Sequence, residues 1–503
     1  MNLAVLAERH VERFGEYPSV VFEGKEFTNA ALLRDSGRLA TALAQLGVKP
    51  GDRVAVMLPN GPEVPLAYGA ILIAGGVVVP VVFLLAVPEI AHILADCEAK
   101  VVVTSPEFLP NVSAAIADLP AKPAVVVTGG AVDGATSFDA LIAQANDRLA
   151  IVDRSPEDLA VISYTSGTTG VPKGVMLTHA NLLFNAENTA NVIGIEPDDV
   201  SIGCLPLAHL FGISSTLVIQ LFKVRSVILR WFTAEGFFEA MNTYRANTTA
   251  FVPTMVQYML GHPDFDSVDW SSLRWAVVAA APVPVEMKRE FEKRTGAKVL
   301  EAYGLTETSP TATIMRLDDP DKPGSCGRAV PNVEVSIQDD DGSMLPAGEQ
   351  GEVCIKGPNI MAGYYKLPEV TAGVVKDGWF HSGDIGFLDE DGFLTITDRK
   401  KDMIIRGGFN IYPRDIEEVL HGHPAVLEAG VVGVPDARMG EEVKAFVVLR
   451  PGASAGEEEL LAYCRDQLAK YKTPKWIEFI DALPKNAIGK VLKRELRERA
   501  AGT

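Results

Sequence analysis

The fold of the chain is decided by the run Tyr164-Thr165-Ser166-Gly167-Thr168-Thr169-Gly170-Val171-Pro172-Lys173-Gly174, which follows an apolar segment, Leu159 to Ser163. Its glycines expose backbone N–H groups, and its hydroxyls and lysine add donors and a cation, which suits it to hold a polyphosphate. The Walker loop needs Gly-Lys-Ser/Thr and then a helix. Here Gly174 follows the lysine, and Val175-Met176-Leu177 is typical of a strand. We therefore expect a phosphate-covering loop between two strands. A plain polar hairpin turn is the alternative.

Composition limits the classes of protein that the chain can belong to. Its 503 residues are too many for one core and indicate two or more domains. The net charge of −19 argues against nucleic acid as a partner, which would need a basic face. The five cysteines are scattered without a CxxC pair and favour a reduced, cytoplasmic compartment. Their positions are Cys97, Cys204, Cys326, Cys354 and Cys464.

No targeting or membrane-spanning segment is expected. Met1 to Arg13 carries charge among its apolar residues and lacks a secretory core, and the C-terminal Ala501-Gly502-Thr503 is not a peroxisomal signal. The apolar run from Ala70 to Val87 is interrupted by Gly75-Gly76 and by Pro80. We interpret it as a helix end, a turn and a buried strand, Val77 to Phe83. Peripheral contact with a membrane and the oligomeric state are left open.

The order of predicted elements indicates an α/β fold. Strands and helices alternate through the first 300 residues, as expected of helix-covered parallel sheets. The predicted strands there are Arg53–Leu58, Lys100–Thr104, Ala124–Thr128, Val200–Cys204, Ser226–Leu229, Ala250–Val252 and Trp275–Ala279, and Glu63–Ile73 is a predicted helix. From Val333 to Thr397, short strands with Gly-rich turns predict a small β-rich subdomain. We place an N-terminal domain at residues 1–398, with the β-rich part at about 330–398, a hinge at 398–402 and a mobile α+β C-terminal domain at 399–503.

The phosphate loop resembles that of the adenylate-forming superfamily, which includes acyl-CoA synthetases, aryl-CoA ligases, luciferases and amino-acid adenylation domains. Further segments resemble the same family in the same order, from about Leu159 to Lys493. They are Leu205-Pro206-Leu207-Ala208-His209, Ala280-Ala281-Pro282, Tyr303-Gly304-Leu305-Thr306-Glu307-Thr308, Phe380-His381-Ser382-Gly383-Asp384, Gly407-Gly408-Phe409-Asn410 and Ile488-Gly489-Lys490. The resemblance implies that Mg-ATP converts a carboxylic acid to acyl-AMP and pyrophosphate, and that coenzyme A then takes the acyl group.

The resemblance also implies a nucleotide site. The residues expected to hold the β- and γ-phosphates are Thr165, Ser166, Gly167, Thr168, Thr169, Gly170 and Lys173. Thr306 would contact the α-phosphate and Glu307 would bind magnesium. Asp384 would accept hydrogen bonds from both ribose hydroxyls, and Arg399 would complete that site. Taken alone, Thr306-Glu307 could be a helix N-cap, and Asp384 a turn residue.

The adenine base has its own expected pocket in this family. Tyr303 and Gly304, with Glu301 and Ala302 before them, occupy the adenine position of the family. Many relatives carry Gln-Gly in place of Glu301-Ala302, which is a departure of this chain. The loop Ala280-Ala281-Pro282 resembles the opposite wall of the base pocket.

Two surfaces of the C-terminal domain are expected to alternate at one site. Lys490 would bridge the carboxylate and the α-phosphate in the first half-reaction; a solvated surface lysine is the alternative. Gly407 and Gly408 would line the pantetheine tunnel in the second. Lys401 occupies the hinge position of the family, with a plain interdomain salt bridge as an equal alternative.

The sequence determines the identity of the carboxylic acid substrate least. His209 matches the residue that borders the carboxylate and gates the coenzyme A tunnel, and Leu210 stands where amino-acid-activating relatives carry an aspartate. The predicted pocket walls are Phe211, Ser214, Ser215, Pro253, Thr254 and Val278 to Ala281, which fit a fatty or aryl acid. Arg230 leaves a dicarboxylate, malonate-like substrate open, and a 4-coumarate-like acid also fits. An enzyme that loads a carrier protein and a non-catalytic nucleotide sensor are compatible with the same motifs.

Overall fold

The computed structural model describes residues 1–130, 132, 134–145, 148–165, 171–485 and 491–501. The helices in these residues are α1 Val5–Phe14, α2 Asn29–Gln45, α3 Glu63–Ile73, α4 Val87–Asp96, α5 Leu109–Ile116, α6 Phe138–Gln144, α7 His179–Ile193, α8 Leu210–Leu221, α9 Ala234–Tyr244, α10 Pro253–Leu260, α11 Val285–Thr295, α12 Pro368–Val374, α13 Pro413–His421, α14 Glu457–Gln467 and α15 Lys493–Ala500. Short 3₁₀ turns lie at Phe265–Ser267, Trp270–Ser272 and Thr306–Thr308.

The strands form separate sheets. In chain order they are β1 Pro18–Phe22, β2 Lys25–Thr28, β3 Arg53–Met57, β4 Val77–Pro80, β5 Val101–Thr104, β6 Ala124–Val127, β7 Thr136–Ser137, β8 Leu159–Thr165, β9 Lys173–Thr178, β10 Val200–Gly203, β11 Arg225–Ile228, β12 Thr248–Phe251, β13 Trp275–Val278, β14 Lys298–Tyr303, β15 Thr313–Ile314, β16 Arg328–Ala329, β17 Glu334–Gln338, β18 Gly351–Lys356, β19 Gly363–Tyr364, β20 Val375–Lys376, β21 Trp379–Leu388, β22 Leu394–Arg399, β23 Ile404–Arg406, β24 Phe409–Ile411, β25 Val426–Asp436, β26 Gly440–Leu449 and β27 Trp476–Phe479.

Two large sheets make up the N-terminal part of the described chain. Sheet one has the order β16-β15-β14-β13-β12-β10-β11-β1-β2, and sheet two has the order β19-β9-β8-β4-β3-β5-β6-β7. Their central strands are parallel, while the edges β1–β2, β14–β15–β16 and β8–β9–β19 pair antiparallel. The expected α/β architecture of helix-covered sheets is confirmed, with antiparallel edges that the alternation of elements could not reveal.

Helices cover both faces of each large sheet because the strands are apolar on both sides. The outer face of sheet one packs against α9 and α11, where Phe237 and Phe291 are fully buried. The outer face of sheet two packs against α4 and α5. Between the sheets lie α2, α3, α7 and α8, in a core that includes Leu39, Ile71 and Leu210. This middle layer contains the cavity described below.

The helices of the middle layer begin at defined caps. Thr178 accepts a hydrogen bond from the Asn181 backbone, and the Asn181 side chain accepts one from Thr178 in return, so α7 starts directly after β9. At its other end Gly194 takes a left-handed conformation with φ of 68°. These two signals set where α7 begins and ends.

The third and fourth sheets follow along the chain. The third has the order β17-β18-β21-β20 with β22 beside β21, as the predicted β-rich segment requires. Within that segment, however, β19 leaves the small sheet and pairs with β9 of sheet two. The fourth sheet, β24-β23-β26-β25 with β27, lies after Arg399 and packs on α13, α14 and α15.

The apolar run from Ala70 to Val87 has the predicted form. Helix α3 ends at Ile73, Gly75 turns the chain with φ of 71°, and β4 is fully buried. The strand ends at Pro80, three residues before the predicted Phe83, and β12 begins two residues before the predicted Ala250. Throughout the described ranges, no helix combines the length and apolar character needed to cross a bilayer.

Candidate active site

A cavity of about 1350 Å³ runs from the middle layer to the C-terminal part of the chain. Its walls come from the inner face of sheet one, helices α7 and α8, the β8–β9 hairpin and the residues on either side of Arg399. The lining is polar and charged near Arg399, and along α8 and the inner face of sheet one it combines many apolar side chains with a few polar ones. Such a combination suits a ligand with an ionic head and an apolar body.

The β8–β9 hairpin brings two of the predicted phosphate residues to the cavity. Thr165 and Lys173 are opposite each other in the antiparallel register, and both line the cavity. The Lys173 ammonium lies 5.4 Å from the centre of the Tyr364 ring. The predicted residues Ser166, Gly167, Thr168, Thr169 and Gly170 lie outside the described residues.

Asp384 is the acceptor of a buried hydrogen-bonding cluster. The Tyr303 hydroxyl donates to its Oδ2 at 2.7 Å, and Arg399 Nε lies 2.8 Å from its Oδ1. Tyr303 and Arg399 line the cavity, while the Asp384 side chain behind them is only 6% exposed. Asp384 and Arg399 are also register partners across β21 and β22, which fixes their distance. Burial, followed by the Asp384 charge, raises the pKa of Tyr303, and Asp384 raises that of Arg399, so both stay protonated.

A carboxylate has about four acceptor positions, and Tyr303 and Arg399 use two of those of Asp384. The remaining positions can accept donors from a ligand that reaches past Tyr303 and Arg399, since Asp384 itself is not part of the lining. A pair of neighbouring hydroxyls is one such ligand.

Thr306 and Glu307 lie in the 3₁₀ turn directly after β14, and both line the cavity. Glu307 is 9% exposed, and its Oε1 accepts a hydrogen bond from the Tyr364 hydroxyl at 2.8 Å. Burial and the adjacent Glu307 charge raise the pKa of Tyr364, which therefore remains a donor. Tyr364 thus orients the carboxylate and leaves Oε2 for another ligand.

Glu307 fits a magnesium ion that is shared with phosphate groups. Among the described residues there is no cluster of three or more His, Cys, Asp or Glu side chains that could cage a metal. Mg²⁺ commonly uses one or two carboxylates together with substrate phosphates and water. A single oriented carboxylate beside Thr306 is consistent with that mode.

The predicted adenine residues divide into two groups. Ala302, Tyr303, Gly304 and Ala280 line the cavity, whereas Glu301 does not. Glu301 forms a buried ion pair with Lys288, with 3.2 Å between Nζ and Oε1. Burial raises the pKa of Glu301 to about 7. The structure therefore places this carboxylate inside the protein.

In the loop after β13, too, only one of the three predicted residues lines the cavity. Ala280 lines the cavity with φ of 73°, a left-handed conformation that is uncommon for alanine, whereas Ala281 and Pro282 are not part of the lining. Gly304 is required for packing, because a Cβ there would lie 1.8 Å from the Pro310 carbonyl oxygen.

His209 stands between the large cavity and a second one of about 200 Å³. It caps α8, and its Nδ1 accepts the Phe211 backbone N–H at 3.3 Å. Burial lowers the pKa of His209 to about 4, so the ring is neutral at pH 7. A neutral side chain that separates two cavities can act as a gate between them.

Only some of the residues predicted to form the acid pocket line a cavity. Phe211, Ser214, Ser215, Ala279 and Ala280 line the large cavity, and Thr254 lines the small one. Pro253, Val278 and Ala281 line neither. Arg230 is also outside both linings, with its Nε 2.9 Å from Glu23 Oε1.

Residues 399–402 and the C-terminal end of the described chain also line the cavity. Lys401 lines it, as do Lys485 and Val491, which form an isolated β-bridge. Lys490, between them, lies outside the described residues, so its predicted role is not placed. Gly407 and Gly408, with φ of 58° and 85°, form the turn of the β23–β24 hairpin; they are exposed and not part of the cavity lining.

Sequence reasoning missed several contacts at the site. Tyr364, which orients Glu307, is 57 residues away along the chain and carries no local signal. The Lys493 side chain is only 17% exposed, and its Nζ lies 3.0 Å from Glu417 Oε1 and 4.0 Å from Asp398 Oδ1. The density of basic residues in this segment instead suggests a solvated surface. These ion pairs hold the start of α15 against Asp398 and α13.

Comparisons with known proteins cover almost the whole chain. Residues 7–365 match the AMP-binding enzyme family, and residues 415–490 match the AMP-binding enzyme C-terminal domain. The chain is 38% identical to a long-chain-fatty-acid–CoA ligase of Bacillus subtilis, over 97% of this chain and 92% of that protein. It is 40% identical to a feruloyl-CoA synthase of an Amycolatopsis species, over 95% and 94%. The ATP-bound structure of MatB from Rhodopseudomonas palustris superposes with a TM-score of 0.91 at 36% identity, over 99% of each chain.

Proposed function

The chain belongs to the family of AMP-binding enzymes, and we propose that it is an AMP-forming acyl-CoA synthetase acting on a fatty acid. A carboxylate oxygen attacks the α-phosphorus of ATP, and pyrophosphate leaves, giving acyl-AMP. The thiolate of coenzyme A then attacks the acyl carbon, forming the thioester and releasing AMP. The observation that carries the proposal is the Tyr303–Asp384–Arg399 cluster beside Glu307, at the mouth of a deep apolar cavity.

In this proposal Asp384 binds the ribose. Its free acceptor positions take the two ribose hydroxyls, while Tyr303 and Arg399 hold the carboxylate in place. Tyr303, Gly304 and Ala302 form one side of the adenine pocket, and Ala280 forms the other. Glu301 is left out of base recognition because it is paired with Lys288.

The phosphates lie between the β8–β9 hairpin and the turn after β14. Thr165 and Lys173 contact the β- and γ-phosphates from one side, and Thr306 contacts the α-phosphate from the other. Glu307 would hold Mg²⁺, which neutralises phosphate charge when bound. Tyr364 keeps the Glu307 carboxylate turned toward the cavity. These groups offset the repulsion between the anionic acid and ATP.

The two half-reactions use different parts of a mobile C-terminal domain, residues 399–503. The flanks of Lys490 line the cavity, which fits a role for its ammonium between the acid and the α-phosphate. Gly407 and Gly408 lie away from the cavity on the same domain. Rotation about the hinge at Lys401 would bring this glycine turn to the tunnel that admits the thiol. Neutral His209 would then open the wall between the two cavities.

A fatty acid is favoured over a dicarboxylate by the walls of the cavity. Its deeper part is lined by apolar side chains such as Ile213, Leu217 and Val277. Arg230, the cation considered for a second carboxylate, is paired with Glu23 outside the lining. The long-chain-fatty-acid–CoA ligase of Bacillus subtilis supports the same substrate class.

We also place the enzyme in the cytoplasm, with at most peripheral contact with a membrane. All five cysteines are free thiols, and four of them are buried, which suits a reducing compartment. Burial raises the pKa of Cys204 to about 12, so this thiol is unreactive.

The proposal is tested by incubating the enzyme with ATP, magnesium and a panel of acids, with and without coenzyme A. We expect acyl-CoA and AMP from fatty acids of medium to long chain, and only acyl-AMP when coenzyme A is omitted. Acyl-AMP that accumulates despite coenzyme A would indicate transfer to another acceptor. An absence of pyrophosphate with every acid would refute the proposal.

A further inference from the structure

A row of polar side chains crosses the inner face of sheet one at the deep end of the cavity. Ser226, Ser201, Thr248 and Trp275 are register partners on the neighbouring parallel strands β11, β10, β12 and β13. Register partners in a parallel sheet point to the same face. All four residues line the cavity, so we call them the polar row.

Two members of the polar row are buried without a hydrogen-bond partner. Thr248 is 1% exposed and Trp275 is 3% exposed, and within the described residues neither Thr248 Oγ1 nor Trp275 Nε1 has a partner. Thr189, on the cavity-facing side of α7, likewise has an Oγ1 with no partner in the described part of the chain. Unpaired buried polar groups are costly and rare in native proteins, so three near one cavity need an explanation.

The neighbouring threonine shows that the sheet itself can satisfy such a group. Thr249, which follows Thr248 on β12, has its side chain on the opposite face, and its Oγ1 donates to the Ile202 carbonyl at 2.9 Å. The difference follows from the strand alternation, since Thr248 faces the cavity. On β12, therefore, the hydroxyl without a hydrogen-bond partner is the one that faces the cavity.

The chemistry of these groups defines what they can bind. The Trp275 indole N–H can only donate, while threonine hydroxyls can donate or accept, so the matching group must accept a hydrogen bond. The neighbouring cation, Arg274, is already paired: its Nη2 lies 2.6 Å from Asp199 Oδ2 and its Nη1 lies 2.9 Å from Glu196 Oε1. A second carboxylate would thus lack a counter-ion here. A neutral hydroxyl or oxo oxygen fits.

The depth of the polar row sets the length of the ligand. Ala279 lies four positions after Trp275, directly beyond the mouth end of β13, which corresponds to roughly 13 Å at a strand rise of about 3.3 Å per residue. An extended chain of about ten carbons covers this distance, given single bonds of about 1.5 Å that advance less than that along a zigzag. The ligand is therefore an acid with an oxygen near its far end.

Resting on the proposed function, we propose that the polar row is a subsite for a terminal or near-terminal hydroxyl or oxo group of a medium-chain fatty acid. The carboxylate of that acid lies at the mouth, and its chain passes the apolar row formed by Gly203, Ala250 and Val277. Thr248 and Trp275 then bind the distal oxygen. The enzyme is thereby selective for hydroxy- or oxo-fatty acids.

The test compares matched acids with and without a terminal hydroxyl, at chain lengths of 8, 10, 12 and 14 carbons. For each pair the ratio of kcat/KM for the hydroxy acid to that for the plain acid is measured by acyl-CoA formation. We expect the ratio to exceed one and to peak near 10 to 12 carbons. A purely apolar or water-filled pocket gives a ratio below one at every length, which would overturn the proposal.

Thr248→Val keeps the shape of the side chain and removes its hydroxyl, while Trp275→Phe removes the indole N–H together with part of the ring. We expect either to lower the peak ratio about tenfold, the effect of one hydrogen bond with a well-placed partner. Thr249→Val, on the opposite face, should leave the ratio as in the wild type. Equal ratios in all four proteins would contradict the subsite. If no acid yields acyl-CoA in any of them, the proposed function itself fails, which is a distinct result.

Discussion

The hydroxyl of Tyr303 donates to the carboxylate of Asp384 across 2.7 Å, although 81 residues separate them in the chain. Tyr303 ends β14 of sheet one, and Asp384 lies on β21 of the third sheet. The bond therefore joins sheet one to the third sheet beside the cavity. Arg399, at the end of β22, reaches the same carboxylate. The proposed ribose site is thus built where three segments meet.

Asp384→Asn should raise the KM for ATP by about 10- to 100-fold, because hydrogen bonds to a charged acceptor are worth about 1.5–3 kcal/mol. The measurement is pyrophosphate release at varied ATP concentration. Asp389→Asn, which alters a carboxylate paired with Lys322 away from the cavity, is the matched control. An unchanged KM in Asp384→Asn would contradict the ribose assignment.

Glu307→Gln should shift the magnesium requirement upward. The amide keeps the size of the side chain but loses the charge that a hard cation needs. We expect the midpoint of a magnesium titration of pyrophosphate release to rise at least tenfold. Tyr364→Phe removes only the orienting hydrogen bond and should raise it less. The same midpoint in wild type and Glu307→Gln would show that the metal is held elsewhere.

Lys490→Ala should lower the rate of acyl-AMP formation by about 10²- to 10³-fold or more, as is typical for loss of a group that stabilises transition-state charge. Supplied acyl-AMP should still react with coenzyme A. Lys485→Ala removes a neighbouring lysine that is paired with Glu428, and both steps should persist. Equal loss of both half-reactions in Lys490→Ala would refute alternation of the C-terminal domain.

Gly408→Leu should have the opposite effect. A leucine there would obstruct the proposed thiol tunnel, so thioester formation should fall while acyl-AMP formation continues. Gly452→Leu introduces a similar strain, since both glycines have positive φ, 85° and 77°, with open space around them. This control should leave the ratio of the two half-reaction rates unchanged. Normal thioester formation by Gly408→Leu would show that the glycine turn does not line the thiol tunnel.

The pH dependence of stability should reflect His179, which is 1% exposed. Burial, followed by the charge of Arg154, lowers its pKa to about 4. Between pH 6.5 and 4 the unfolded chain therefore binds a proton that the folded chain does not. The free energy of unfolding consequently decreases as the pH is lowered through this range. From pH 7 to 5 this contribution is about 1–2 kcal/mol.

His179→Asn retains an acceptor for the Leu3 backbone N–H, which bonds to His179 Nδ1 at 3.1 Å, but it does not titrate. Urea unfolding at pH 7 and pH 5 should thus show a smaller loss of stability in the variant than in the wild type. An identical loss would mean that His179 is already charged or accessible in the folded protein.

The local motifs of the site could be read from the sequence because each one is a short run with its own chemistry. The hairpin that carries Thr165 and Lys173 is predicted by an apolar strand on each side of a Gly/Ser/Thr run. Tyr303, Glu307 and Asp384 come from equally compact motifs, and the structure brings these three to one cavity or its wall.

What the sequence could not reveal depends on contacts between distant segments. Glu301 is adjacent to cavity residues in the chain, yet its side chain meets Lys288 of α11. Tyr364 belongs to the β-rich stretch, yet β19 pairs with β9 and takes it to Glu307. The polar row needs the register of four parallel strands, which periodicity alone does not give.

The most direct measurement of the central claim uses an acid whose carboxylate is labelled with ¹⁸O. If that carboxylate attacks the α-phosphorus and coenzyme A then displaces AMP at the acyl carbon, one ¹⁸O must appear in the AMP. We expect mass spectrometry to find AMP carrying a single ¹⁸O for each acyl-CoA formed. Unlabelled AMP, or ¹⁸O in inorganic phosphate with ADP as the other product, would contradict the account.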